Sequence, residues 1–329
     1  MKMNKRVPCL TTLVLISFCF ALAFPAHGQE ERTIRIAMGY IPNVQFAPWY
    51  VAEAKGFFAR EGLHVGMDYR MDSDGLVLVG QGRMEFAIGG GDMVLIARAN
   101  GVPVTYICTL YAKFPPSIVS LKASGLKSMR DLKGKRIGYP AMGTSYIALR
   151  AMLAKSGMRV DDVKAVAVGY TQIESLIGDK IDAAVVFTNN EPLQMSAQGL
   201  AFNEIHSYDY LPLVGHGVVA GDQLLRDRPE LARAFVRATL DGMRYVQRYP
   251  KDAMKIVAKT INLPLKDQEV QYRVLLASVK LWENTYSRRH GLGSSDPKAW
   301  TESQRFMTEQ GFIKEAVSID KVMSNAYLK

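Results

Sequence analysis

The chain has 329 residues, 48% of them apolar and 22% charged, and it carries no low-complexity tract, so it is globular and long enough for two domains of ordinary size. Its formal net charge is +10. Lys and Arg are scattered and not interleaved with aromatic residues, which argues for a solvated basic surface, attracted weakly at most to acidic membranes, and against a nucleic-acid-binding face.

In chain order, residues 1–28 come first. Lys2, Lys5 and Arg6 precede an uncharged apolar run from Val7 to Phe24, and Ala26-His27-Gly28 places small residues at cleavage offsets before Gln29. The pattern is that of a secretory signal peptide and not of a membrane anchor, which predicts a periplasmic or otherwise extracytoplasmic protein. Phe18 before Cys19 argues against lipidation. Cleavage would remove three positive charges, leaving +7, together with two of the three cysteines, Cys9 and Cys19. Cys108 would then remain alone in the apolar run Val104 to Leu110, so neither an internal disulfide nor a cysteine-based metal site is expected.

The next stretch is the most informative. An apolar strand (Ile34, Ile36, Met38) runs into Pro42-Asn43-Val44-Gln45, and a helix rich in aromatics begins at Pro48. That places Asn43, Gln45, Phe46 and Trp49 at the mouth of a strand-to-helix turn, where open α/β sheets hold ligands. Polar groups and large rings without a His, Cys or Asp nucleophile suit recognition of a flat polar molecule more than catalysis. For Phe46, Trp49 and Tyr50 taken singly, a place in the core is the equal alternative.

Beyond it strands and helices alternate. Strands are predicted at 33–38, 64–69, 86–89, 104–110, 118–121, 136–139, 164–167, 183–187 and 214–220, and helices at 48–61, 74–82, 91–100, 144–156, 171–179, 191–198, 227–248, 250–260, 265–282, 297–310 and near 316–326. Such alternation predicts an α/β protein with parallel sheets covered by helices on both faces. An internal echo points to two lobes of similar plan: Leu78-Val79-Gly80 leads to Glu85-Phe86-Ala87-Ile88, and Leu176-Ile177-Gly178 leads to Asp182-Ala183-Ala184-Val185. Lys113-Phe114-Pro115-Pro116 makes a natural crossing between lobes, with a return near Tyr210-Leu211-Pro212. Residues 29–116 and 213–329 are then one lobe, and 117–212 the other.

Three runs carry a family resemblance: PNVQFAPWYVAEAKGFFAREGL from Pro42, SMRDLKGKRIGYP at 128–140, and GLGSSDPKAWTESQRFMTEQGFI from Gly291. They resemble the periplasmic substrate-binding proteins of ABC importers, in the branch of sulfonate, taurine and nitrate binders and of binders of thiamine pyrimidine precursors. The first run is also similar to riboflavin-binding members. The resemblance spans nearly all of the chain after residue 28. It implies a type II periplasmic-binding-protein fold, two lobes with a hinged cleft, acting as a monomer on a small-molecule ligand and delivering it to a permease in the cytoplasmic membrane, with no cofactor or metal. Its ligand contacts would come from cleft loops: Asn43, Phe46 and Trp49; Asp72 in Met71-Asp72-Ser73; Gly90 and Asp92 in Gly89-Gly90-Gly91-Asp92; Thr144, Ser145 and Tyr146; and Asn189, Asn190 and Glu191.

The residue chemistry narrows the ligand. Glycines at 89–91 either let backbone approach a ligand or merely permit a tight turn. Thr144 and Ser145 open a helix, so they either hold an anion or cap it. Glu191 would repel a sulfonate or nitrate and pair with a ring amidine or exocyclic amine, the alternative being a first-turn residue complementing the helix dipole. Rings at Trp49, Tyr111, Phe114 and Tyr146 could sandwich a flat heterocycle. These readings favour a thiamine-type pyrimidine or a flavin such as riboflavin. The alternatives are a binder of aliphatic sulfonate, taurine or nitrate, and an enzyme like the pyrimidine synthases of thiamine biosynthesis. Those synthases carry a clustered-cysteine motif with iron, and His64, His206, His216 and His290 show no ligand spacing that would replace it.

Overall fold

Strands packed between helices on both sides must be apolar on both faces, and the central strands here are buried along nearly their whole length. The computed structural model describes Met1 and residues 32–140, 143–209 and 211–329. The leader expected at 1–28 falls, Met1 apart, outside the described residues, as do Tyr210 of the return crossing and the side chains of Met71, Asp72 and Ser73.

Ten strands are found among the described residues: β1 (Arg32–Gly39), β2 (Leu63–Met71), β3 (Phe86–Gly90), β4 (Val104–Thr109), β5 (Pro116–Leu121), β6 (Arg136–Tyr139), β7 (Lys164–Ala167), β8 (Ala183–Phe187), β9 (Phe202–His206) and β10 (His216–Gly221). They form two five-stranded sheets, ordered β2-β1-β3-β10-β4 and β7-β6-β8-β5-β9. The two orders are the same plan twice. In each, the fourth strand in the order has crossed over from the other sheet and runs antiparallel to both neighbours, β10 in the first and β5 in the second. The sheets are therefore mixed and not purely parallel, because a strand arriving by a short crossing from the other half enters from the opposite end.

Successive residues of a strand face opposite sides, and the cores follow this alternation. Ile34, Ile36 and Met38 of β1 pack with Phe235, Met243, Val274 and Trp282 of the C-terminal helices, whereas Ala37 joins the core on the other face. In the second sheet Ile118 and Val185 face one core, and Val119, Ala184 and Val186 face another. The repeated Gly-to-acid segment has a structural counterpart in each sheet. Glu85 Oε2 accepts the Arg35 N–H at 3.0 Å, and Asp182 Oδ2 accepts the Arg136 N–H at 2.6 Å. The same two arginines reach the loop before the acid, Arg35 to the Arg83 carbonyl and Arg136 to the Asp179 carbonyl.

Differences from the sequence expectation have local causes. The helix expected over 48–61 is two pieces, Ala47–Ala54 and Phe57–Arg60, because Gly56 takes a left-handed φ of 68°. The helix expected over 227–248 starts at Pro229, and a separate short helix, Asp222–Asp227, precedes it where none was expected, the two parted at Arg228 ahead of the proline. Strand β9, half-buried at a sheet edge, and the short helix Thr285–His290, capped by the Asn284 side chain, were not expected.

The helix Pro229–Arg248 lies on the helix Ala47–Ala54 through Gly242, where a Cβ would stand 2.1 Å from the Pro48 carbonyl oxygen. Because backbone cannot yield as a side-chain tip does, Gly242→Ala is expected to lower stability by about 1–3 kcal/mol. Urea denaturation followed by circular dichroism checks this, and an unchanged midpoint would show that the helices part at no cost.

Candidate ligand-binding site

Between the two sheets lies a cavity of about 90 Å³. The first half contributes Tyr40, which follows β1, Gln45 and Phe46 from the next turn, Tyr111 from the crossing after β4, and His216 at the start of β10. The second half contributes Thr144 and Ser145 at the start of the helix Thr144–Lys155, Tyr170 and Gln172 after β7, Phe187 at the end of β8, and Asn190 and Glu191 beyond it. The rings meet across the gap. Tyr40 and Tyr170 stand edge to face with centroids 4.6 Å apart, and Phe187 lies 5.3 Å from the His216 ring.

Glu191 is the buried charge of this space. Its Oε2 accepts the Phe187 N–H at 2.9 Å, and its Oε1 accepts the Asn190 amide at 3.0 Å, with the Tyr40 hydroxyl at 3.5 Å. Burial pushes its carboxyl above the usual carboxylate range, and these donors pull in the opposite direction. Burial, with the Glu191 charge beside it, holds the Tyr40 hydroxyl above its ordinary range. Burial also drops the His216 imidazole to about 4. That ring packs among aromatics, 6.3 Å from Tyr111 on one side, and its Nδ1 has no hydrogen-bond partner among the described residues.

Of the residues expected at the site, Phe46, Tyr111, Thr144, Ser145, Asn190 and Glu191 line the cavity. The others have different placements. Asn43 is buried beside it and caps a short helical turn, its Oδ1 accepting the Gln45 N–H at 3.0 Å. Trp49 is wholly buried and lines no part of the cavity, because residues 47–52 of its helix are all enclosed by core and leave no face for a ligand. Asn189 faces away as well. Its amide nitrogen lies 2.8 Å from Gln45 Oε1, 2.8 Å from Ser278 Oγ and 3.3 Å from the Tyr111 hydroxyl, so it is spent in joining the halves. Asp92, fully buried, accepts the Thr144 hydroxyl across the gap at 3.1 Å. Gly90 makes room for that contact: a Cβ on it would lie 2.5 Å from Thr144 Oγ1 and 2.2 Å from Asp92 Oδ1. Tyr146 packs on Tyr139 at 5.0 Å outside the cavity, and Phe114 belongs to the core. Asp72 opens the helix Asp72–Gly80, and its side chain is outside the described set.

Tyr40, Tyr170, Gln172, Phe187 and His216 escaped the sequence reading as site residues. A signal for two of them was present. Gly39-Tyr40 and Gly169-Tyr170 each pair a tyrosine with a glycine just after a strand, and both glycines take positive φ, 76° and 57°.

Two sheets of one plan, joined by two crossings with a ring-lined cavity between them, define the periplasmic-binding-protein fold. The chain superposes on the periplasmic aliphatic sulphonate-binding protein SsuA of Escherichia coli with a TM-score of 0.71, at 14% identity, over 91% of this chain and 99% of that one. By sequence it belongs to the NMT1/THI5-like family, which it matches over residues 43–253. It is 35% identical to the riboflavin-binding protein RibY of Chloroflexus aurantiacus, covering 100% of this chain and 98% of the relative. It is 23% identical to the formylaminopyrimidine-binding protein of Halalkalibacterium halodurans, covering 99% of both.

The buried imidazole gives a signed pH effect. Above pH 6.5 His216 is neutral whether the chain is folded or not. As pH falls from 6.5 toward about 4, the unfolded chain gains a proton that the folded one refuses, so stability declines by at most about 1.4 kcal/mol per pH unit. Denaturation of wild type and His216→Asn at pH 7 and pH 4.5 should show the wild-type advantage shrinking by about 2 kcal/mol. A constant difference would mean that the folded ring takes up its proton freely.

Proposed function

We propose that this protein is the extracytoplasmic capture component of an ABC importer, and that it closes its two halves over a vitamin-related aromatic heterocycle, a flavin or a thiamine-type pyrimidine, and releases it unaltered to a membrane permease. One observation carries the ligand class. The cavity is walled by Tyr40, Phe46, Tyr111, Tyr170, Phe187 and His216 and holds the Glu191 carboxyl, and neither Lys nor Arg is among its described lining residues. A sulfonate or nitrate there would lose its hydration and meet a carboxylate with no cation beside it, a cost that burial makes large. The start of the helix Thr144–Lys155, an apt anion seat, already faces the protein's own Asp92 carboxylate through Thr144. A flat ring with N–H groups gains from the same features: edge and face contacts with the aromatics, worth about 0.5–1.5 kcal/mol per pair beyond the buried area, and a hydrogen bond to Glu191.

The names of the two relatives support this reading, since the ligands they carry are such heterocycles. The apolar run behind Lys2, Lys5 and Arg6 supports export. In this reading the permease is a separate chain and the binder works as a monomer; no described helix is long and apolar enough to cross a membrane. Cys108, the cysteine left after cleavage, is buried with its thiol pushed up to about 12, which leaves it a poor nucleophile. Capture follows as a population shift: an open form meets the ligand, and contacts from both halves favour the closed one.

Isothermal titration with riboflavin, formylaminopyrimidine, taurine and nitrate tests the proposal. Heat with a heterocycle and none with the anions is the expected result. Binding of the anions alone, or conversion of the heterocycle during incubation, would overturn it. Glu191→Gln is expected to weaken the heterocycle by about 1–3 kcal/mol through loss of a buried charged acceptor, and an unchanged affinity would remove Glu191 from the contact.

A further inference from the structure

The cleft does not end at the inner cavity. A second recess, of about 240 Å³, shares Tyr40, Tyr170, Gln172 and Glu191 with the first, so these four residues form the wall between the two spaces. Its character is different. Where the inner space is walled by rings, the outer one is edged by the polar Asn43, Glu174, Gln194 and Gln271, set among the aliphatic Ile41, Ile173, Ile261 and Leu263.

The hydrogen-bonding capacity left on these groups is mixed. Asn43 uses its Oδ1 on the Gln45 N–H, which leaves its two amide hydrogens. Gln194 gives its amide to Asn190 Oδ1 at 2.9 Å, which leaves its carbonyl oxygen. Glu174 is exposed and can only accept when ionised, and Gln271, half-buried on the helix Gln268–Leu281, can do both. Donors and acceptors interspersed in this way match hydroxyl groups, each of which gives one hydrogen bond and accepts others. A phosphate or sulfonate is a poor match, because Glu174 and Glu191 border the recess and neither Lys nor Arg is among its described lining residues.

We propose that the outer recess is a second subsite, which holds the neutral, hydroxyl-bearing side chain of a ligand whose ring occupies the inner cavity. The proposal rests on the heterocycle reading above and narrows it to an unphosphorylated molecule with a polar chain attached to the ring. The junction of ring and chain would pass between Tyr40 and Tyr170, replacing their mutual edge-to-face contact.

Two probes separate the subsites: riboflavin, which carries a polyhydroxyl chain on its ring, and lumiflavin, the same isoalloxazine ring with a methyl group in place of that chain. Titrated against the wild-type protein, riboflavin is expected to bind at least tenfold more tightly. Gln271→Ala, a change at a side chain with no hydrogen bond to another described residue, should weaken riboflavin about three- to tenfold and leave lumiflavin unchanged. Equal affinity of the two probes for wild type, or an equal effect of Gln271→Ala on both, would overturn the subsite while leaving the heterocycle reading in place. Failure of both probes to bind would remove the flavin reading and the subsite with it.

Discussion

A buried amide that must find its partners across a gap is the constraint on which this molecule turns. Asn189 leaves the second sheet at the end of β8 and places its side-chain nitrogen among Gln45, Tyr111 and Ser278, all from the first half. Each of those oxygens is itself in place for a reason. Tyr111 donates to Gln45 Oε1 at 2.9 Å, and Ser278 gives its hydrogen to the Val274 carbonyl one helical turn away. Leaving one of these donors unpaired in the interior costs more than the bond contributes when made, and Asn189 Oδ1, buried with no partner among the described residues, already bears part of that cost. With Asn189 anchored in this way, the two residues that follow turn toward the cavity, and one of them is the buried carboxyl Glu191. The contact between the halves and the polar lining of the cavity thus draw on three consecutive side chains.

The doubled plan of the fold shows the same economy at the level of whole sheets. In both halves an arginine at the first or fourth position of a strand meets an acid that opens a neighbouring strand, and in both the guanidinium then reaches a carbonyl in the preceding loop. This is why the Gly-to-acid echo is visible in the sequence: it is a local arrangement, needed twice, of helix end, turn and buried strand. The alternation of elements and the two-lobed class were legible for similar reasons, since each depends on patterns within about 20 residues. The reversed direction of β5 and β10 was not, because it is set by a crossing between halves and leaves no trace in apolar periodicity. Strand β9 was missed because it lies at an edge with mostly half-buried residues, where a pattern of alternation is weak.

At the site, the sequence located the loops better than the side chains. Loops after strands gather where open sheets bind ligands, and Phe46, Thr144, Asn190 and Glu191 lie on such loops and face the cavity. Within a loop, however, neighbours point in different directions, and what decides the direction is a partner distant in the chain. Asn189 is held by groups up to 144 residues away, and Asp92 meets Thr144 across 52. Trp49 follows from helix packing: its segment is enclosed on all sides, so the indole serves the core. His216 had no local mark, since a single histidine beside two glycines gives no spacing to interpret.

Gly90 contributes by what it lacks. Its backbone is ordinary extended chain, φ −69° and ψ 146°, so no torsional demand calls for glycine there. The space beside its α-carbon belongs to the opposing threonine and its own neighbouring carboxylate. A single added carbon would act as a wedge at the point where the jaws meet, tilting the balance toward the gaping form. Gly90 lines neither recess, so such a wedge would act on how the halves meet while leaving every described lining side chain as it is.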